Sequence, residues 1–175
     1  CYALMGMTDL AVKDMNKAID LCDERNHAYY YARRGEIFRS AALYDEAIQD
    51  FSKVIDRYPT GAYGYYARGW CKELSGDQDG AMKDYNEGIS VDEDYPYIYL
   101  MRGSLYLEKG EMEKAMTDFE TVVAKDTTVE DGSCRHYALN FLGKTEEALE
   151  WMEKIIELDP DDPGNWYDKA CLLAR

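Results

Sequence analysis

Long apolar runs, paired cysteines and histidines are what this sequence mostly lacks, and each absence removes a class of function. No stretch approaches the roughly 18 apolar residues that a membrane-crossing helix needs, so no membrane contact is expected of this segment. The five cysteines, Cys1, Cys22, Cys71, Cys134 and Cys171, are scattered, odd in number and without any Cys-x-x-Cys spacing. Neither a disulfide framework nor a zinc site follows from them; reduced thiols favour a cytoplasmic compartment. The only histidines are His27 and His136, and no serine or cysteine stands at a recognisable nucleophile spacing with them. The phosphate-cradling Gly-x-x-x-x-Gly-Lys-Ser/Thr loop is missing. Acidic runs at Asp92-Glu93-Asp94 and around Asp159, Asp161 and Asp162 lack the spacing and turn glycine of a calcium loop. Basic residues are also in deficit, 20 against 35 acidic, for a formal charge of −15. Such a surface repels phosphate backbones and prefers a neutral or basic partner, which argues against nucleic acid. No catalytic residues, cofactor or metal are expected.

What the sequence has is a period. Gly35, Gly69 and Gly103 recur every 34 residues, each closing a similar phrase: Tyr31-Ala32-Arg33-Arg34-Gly35, Tyr65-Tyr66-Ala67-Arg68-Gly69 and Tyr99-Leu100-Met101-Arg102-Gly103. A fixed period of this size signals stacked helix pairs, none of which buries its apolar face alone. Further small residues follow in pairs: Gly6 and Ala11, Ala42 and Ala47, Gly76 and Ala81, Gly110 and Ala115, Gly143 and Ala148. The first of each pair suits a tight turn with positive φ, and the second admits a neighbouring helix closely. An aromatic or Met comes four places later, at Met15, Phe51, Tyr85, Phe119 and Met152, on the same helical face. All four prolines fall at boundaries: Pro59 and Pro160 after second helices, Pro96 and Pro163 where first helices begin.

These residues resemble the tetratricopeptide repeat, whose pattern runs W-x2-L-G-x2-Y, then A-x3-F, then P. The opening aromatic is Tyr31, Tyr65, Tyr99 and Trp166; the small slot is Gly35, Gly69, Gly103 and Ala170. The resemblance spans essentially the whole chain. It implies an all-α fold, a right-handed superhelical solenoid of antiparallel helix pairs with first helices lining the inner face. On that basis the chain is one array, divided into a partial repeat at 1–27, full repeats at 28–61, 62–95 and 96–128, an irregular repeat at 129–162 and a lone first helix at 163–175. The opening residues read as the tail of a repeat helix, so the chain is expected to be a piece of a longer protein. In the irregular repeat His136 replaces a small residue, and the polar segment 126–133 predicts a longer loop with a first helix shortened to about 133–142.

Two constellations recur with the period. A base precedes each small slot (Arg34, Arg68, Arg102, Arg135, Lys169), and an acid precedes each second-helix aromatic slot (Asp14, Asp50, Asp84, Asp118, Glu150). Matched charges argue for ion pairs rather than phosphate capture, each acid meeting the base of the following repeat: Asp14 with Arg34, Asp50 with Arg68, Asp84 with Arg102. The second constellation is aromatic. Family alignment puts Tyr29, Tyr63, Tyr66, Trp70, Tyr97 and Tyr137 on the inner face, in a chain of sixteen tyrosines. Tyrosine offers a large apolar face with a polar tip at low entropy cost. The family's domains that bind acidic chaperone tails hold carboxylates with Lys, Asn and Arg at slots filled here by Tyr29, Ala32, Glu36, Tyr63, Ala67, Tyr97 and Met101, so that clamp is absent.

The expected function is a non-enzymatic protein-interaction module holding a partner peptide in a tyrosine-lined groove. A purely architectural repeat segment serving a domain elsewhere is the alternative. The last helix, with Trp166, Leu172 and Leu173, is expected to expose an apolar face able to pair two copies.

Overall fold

The computed structural model describes residues 2–129 and 133–174, and only the backbone of residues 2–6. Cys1, Arg175 and the central part of the predicted loop at 126–133 lie outside the described residues. Contacts divide the chain into two units, residues 1–93 and 94–175. The first holds helices α1 (Tyr2–Leu21), α2 (His27–Ser40), α3 (Tyr44–Arg57), α4 (Ala62–Leu74) and α5 (Gln78–Val91). The second holds α6 (Pro96–Glu108), α7 (Met112–Lys125), α8 (Arg135–Phe141), α9 (Thr145–Leu158) and α10 (Pro163–Leu173). No strand occurs among the described residues. Helices pack in sequence order within each unit: α2 on α3 and α4 on α5 in the first, α6 on α7 and α8 on α9 in the second.

Turn chemistry sets the hairpins. Gly76, Gly110 and Gly143 sit at φ of 92°, 75° and 74°, where a side chain is strained. Ala42 occupies the same position at φ 58° with a Cβ in place. Pro96 and Pro163 start α6 and α10, where the missing N–H costs nothing. Gly6 departs from the pattern. α1 runs through it without a turn, because an interior glycine costs a helix only about 1 kcal/mol.

The repeated phrase Tyr-x-x-Arg-Gly is explained by contacts sixteen residues ahead. A Cβ added to Gly35 would stand 2.9 Å from Phe51, one on Gly69 2.6 Å from Tyr85 and one on Gly103 2.7 Å from Phe119. The glycine therefore lets the second helix of its own pair lay a fully buried aromatic ring against the first. The adjacent arginine makes the matching polar contact. Arg68 Nε and Nη2 donate to Asp84 at 2.8 and 2.7 Å, and Arg102 repeats this on Asp118. Arg34 forks onto Asp50 at 2.6 and 2.7 Å.

These pairs overturn the expected pairing with the following repeat: each arginine takes the acid of its own helix pair. The antiparallel hairpin brings residues sixteen apart together, and the preceding acids Asp50 and Asp84 are already held by Arg34 and Arg68 of their own pairs. The remaining nitrogen still reaches back, Arg68 Nη1 to Ser52 at 3.2 Å and Arg34 Nη1 to Asn16. Arg135 and Lys169 follow neither scheme. Arg135 donates to the carbonyls of Val123 and Asp126, and Lys169 meets Glu153 at 3.3 Å.

The irregular repeat is shortened as its polar segment suggests, α8 having only seven residues. Buried Asp126 organises its start, accepting from the backbone N–H of Cys134 and Arg135 at 2.7 and 2.8 Å and from the Ser133 hydroxyl. One expectation for the last helix is corrected. Leu172 is buried against Leu139, Ala148 and Met152, because it lies on the side of α10 that packs on α9. Trp166 and Leu173 remain exposed.

Two substitutions test this account in urea unfolding. Ala42→Gly relieves the positive φ and should stabilise by about 0.5–1 kcal/mol, the left-handed cost less the extra chain entropy of glycine. Arg102→Leu strands Asp118 and should cost about 3–5 kcal/mol. Arg68→Leu should cost less, because Lys72 still meets Asp84 at 2.9 Å.

Candidate functional site

In the first unit, α2 and α4 bring Tyr29, Tyr63, Tyr66 and Trp70 onto one face. The spacing of Tyr63, Tyr66 and Trp70 on α4 is that of neighbours on one helical side. Their ring centroids step from Tyr63 to Tyr66 at 6.4 Å and on to Trp70 at 5.8 Å. Tyr63 also meets buried Phe51 edge-on at 6.2 Å. Tyr63 and Tyr66 rest on the core formed by Ala47, Phe51, Ala67 and Cys71. They thus serve the core with one side and the surface with the other. Burial pushes the Cys71 thiol up to about 12, so it stays protonated beneath them.

Tyr29 and Tyr63 line a shared open pocket of about 450 Å³ with Ala28, Ala32, Val54 and Tyr58. Arg25 and Arg33 border it, and Arg33 lies 5.2 Å from the Tyr29 ring centre. At the other end of the aromatic row the chain supplies its own cation. The Arg39 guanidinium stacks 3.9 Å from the Trp70 ring centre. Glu36 fixes it there, accepting from Arg39 Nε and from the Tyr63 hydroxyl, both at 3.1 Å. One face of Trp70 is consequently occupied, and the exposed ring of this group is Tyr29.

The second unit treats its two candidates differently. Tyr97 is half-buried beside Tyr95, with ring centroids 5.8 Å apart, and burial raises its hydroxyl pKa to about 12. Tyr137 on α8 is more exposed, and its hydroxyl donates to Asp168 Oδ2 at 2.7 Å. Next to it His136 is buried, with the Tyr137 ring tilted 41° against it at 3.9 Å between centroids, and neither ring nitrogen makes a hydrogen bond. Asp168 Oδ2 lies 3.7 Å from His136 Nε2, too far to bond, and its attraction does not offset burial, which lowers the histidine pKa.

Family models agree with this architecture along much of the chain. One described as TPR repeat matches residues 74–110, and two described as Tetratricopeptide repeat match 137–162 and both 31–61 and 97–126. The chain belongs to the tetratricopeptide repeat family. No curated protein sequence matches it. Among solved structures it is similar to TTC0263, a thermophilic TPR protein of Thermus thermophilus. The two share 21% identity at a TM-score of 0.69 over 99% of this chain and 94% of that one. The first TPR domain of human RPAP3 is 24% identical, with a TM-score of 0.59, covering 74% of this chain and 98% of that domain. The TPR2B domain of yeast Sti1, solved in complex with an Hsp70 peptide, is 20% identical with a TM-score of 0.61, covering 69% and 96%. At these identities the likeness establishes the all-α solenoid fold.

Within this tetratricopeptide array Tyr29, Tyr63, Tyr66 and Trp70 lie together in the first unit, but three of their neighbours escaped the sequence reading. Arg33 is four residues after Tyr29 and Arg39 three after Glu36, spacings that already place each pair together on α2. Tyr58 gave no such signal, since it sits beyond the end of α3 and reaches the pocket only through the fold.

His136 yields a pH prediction. With its folded pKa below the unfolded value near 6.5, the unfolded chain binds the proton first. The stability of the second unit should therefore be full above about pH 6.5 and fall as the solution is acidified below it. His136→Gln should flatten that part of the profile, measured as unfolding midpoint against pH.

Proposed function

We propose that this tetratricopeptide array is a non-catalytic protein-binding module. Its contact surface is the aromatic face of α2 and α4, with Tyr97 and Tyr137 offering a further surface on the second unit. The observation that carries this reading is the pocket shared by Tyr29, Tyr58 and Tyr63, continuous with the row Tyr63, Tyr66 and Trp70. Its volume accepts one large apolar side chain, and its tyrosines lose little entropy on contact. Because Arg25 and Arg33 border the pocket and Arg39 already covers Trp70, the anchor is an apolar or aromatic residue rather than a cation. The net charge of −15 then selects neutral or basic flanking sequence by long-range attraction. An extended or helical peptide satisfies both conditions. The Hsp70 peptide bound by yeast Sti1 is a precedent for peptide capture by this fold, although the basic slots of a carboxylate clamp are here Tyr29, Ala32, Glu36 and Tyr63.

A peptide-array screen followed by titration tests the reading. Tyr29→Ala should weaken a selected peptide by about thirtyfold, the loss expected of an interfacial aromatic anchor, and Trp70→Ala, whose ring Arg39 already covers on one face, should weaken it less. Tyr66→Ala should also weaken it, with some loss of stability from the core beneath. If no peptide binds, or if Tyr29→Ala leaves binding unchanged, the architectural alternative replaces this one.

A further inference from the structure

We propose that Trp70, Glu36 and Tyr63 form a subsite for a guanidinium group, which Arg39 keeps filled, so that Arg39 sets this face against cationic partner side chains. The subsite stands on its own geometry; the selectivity it confers rests on the proposed function.

A planar cation is held by an aromatic face beneath it and a carboxylate at its edge. Both are present. The Arg39 guanidinium lies 3.9 Å from the Trp70 ring centre, close enough for face contact. The arginines of the repeated phrase stand farther from their rings: Arg34 is 5.5 Å from Tyr31, Arg68 5.9 Å from Tyr65 and Arg102 5.6 Å from Tyr99. Nε and Nη2 of Arg39 both donate to Oε2 of Glu36, at 3.1 and 2.5 Å. The other carboxylate oxygen, Oε1, accepts from the Tyr63 hydroxyl at 3.1 Å. Tyr63 thereby aims the carboxylate, and α4 supplies ring and hydroxyl to a cation and an acid from α2. An i,i+3 pair on an open helix holds its side chains only loosely. This one is partly withdrawn from water, the side chains of Arg39 and Glu36 keeping 20% and 30% of their exposure.

The constellation is separate from the contacts that stack the helices. Those recur with the period, as Arg34, Arg68 and Arg102 on Asp50, Asp84 and Asp118 show. One period beyond Glu36 and Arg39 stand Trp70 and Glu73, and one further on Ser104 and Leu107. The pair does not recur, so the other hairpins form without it. Its acid also differs from the buried aspartates. Glu36 reaches solvent and keeps Tyr63 when Arg39 is shortened. Truncating Arg39 therefore uncovers a ring and a carboxylate without stranding a charge in the core. What it uncovers fits the flat, forked head of an arginine better than the compact ammonium of a lysine.

Methylguanidinium is the probe, Trp70 fluorescence the readout, and methylammonium at equal ionic strength the control. Arg39→Ala should bind methylguanidinium with a dissociation constant of about 1–10 mM, the range open to a ligand of about five heavy atoms. Methylammonium should bind about tenfold more weakly. The unmodified chain, its subsite filled, should give no saturable response. Neither should Arg39→Ala combined with Trp70→Phe, which leaves Trp151 and Trp166 as background. Arg39→Gln, which removes the charge and keeps part of the stem, is the second variant, and far-UV circular dichroism checks the helices of both. A folded variant that does not respond overturns the subsite, and so does an unmodified chain that responds equally. Unfolding of both variants overturns it as well, because Arg39 would then belong to the fold. A peptide bound by the unmodified chain is next scanned with arginine. At one position arginine should favour Arg39→Ala over the unmodified chain by about tenfold; a scan without such a position overturns the selectivity. If no peptide binds, the proposed function fails, and the methylguanidinium titration still decides the subsite.

Discussion

A reach of sixteen residues organises everything else in this molecule. It is the distance along the chain between facing residues of one helix hairpin, and two unlike contacts use it side by side. A glycine admits an aromatic ring at near-contact distance, and the arginine before it forks onto the aspartate before that ring. The apolar contact supplies burial. The charged one supplies direction, since a bidentate fork tolerates little sliding. Each aspartate is buried beside its ring, so a hairpin slipped by one turn would strand a carboxylate in apolar surroundings. Register and core thus depend on one another.

That dependence explains what was legible in the sequence. Period, helix content, hairpin turns and proline boundaries follow from local chemistry repeated in register, and Gly76, Gly110 and Gly143 adopt the positive φ their column requires. The partner of each arginine was not legible. Arg34, Arg68 and Arg102 each stand 16 residues before the acid of their own pair and 20, 18 and 18 residues after the acid of the preceding pair, so every arginine has a candidate acid on either side along the chain. Only the hairpin geometry separates them. Gly6 shows the same limit from another side: it belongs to the turn column by spacing, yet α1 continues through it. Leu172 was misplaced because α10 has apolar residues on more than one side, and spacing alone does not tell which side meets α9.

The candidate face was half legible for a related reason. Residues on one helix side are found by counting, which identified Tyr63, Tyr66 and Trp70 on α4. What covers them comes from α2, and cross-helix pairing needs the fold. Arg39 on Trp70, steadied by Glu36 and Tyr63, changes the meaning of that tryptophan. It is a ring already supplied with a cation, so the open aromatic surface lies nearer Tyr29. The tyrosines beneath also serve as core, so the proposed binding face and the folding core share side chains. Substituting Tyr63 or Tyr66 therefore disturbs the core as well as the surface, and substituting exposed Tyr29 does so less.

The charge of −15 has to be placed before it is used as an argument about partners. The first helices carry few acids: Glu36 on α2, Glu73 on α4, Glu108 on α6, none on α8 and Asp168 on α10. Second helices and junctions carry the surplus, as in Glu146, Glu147, Glu150, Glu153 and Glu157 of α9. The repeated arginines of the first helices are neutralised internally by their forks. A partner approaching α2 and α4 therefore meets aromatic rings with Arg33 and Arg39, not a wall of carboxylates. The acidic surplus acts from a distance, where salt screens it beyond about 10 Å. In the proposed function, long-range selection for a neutral or basic partner and short-range selection for an apolar anchor therefore rest on separate helices, and only the first is sensitive to ionic strength.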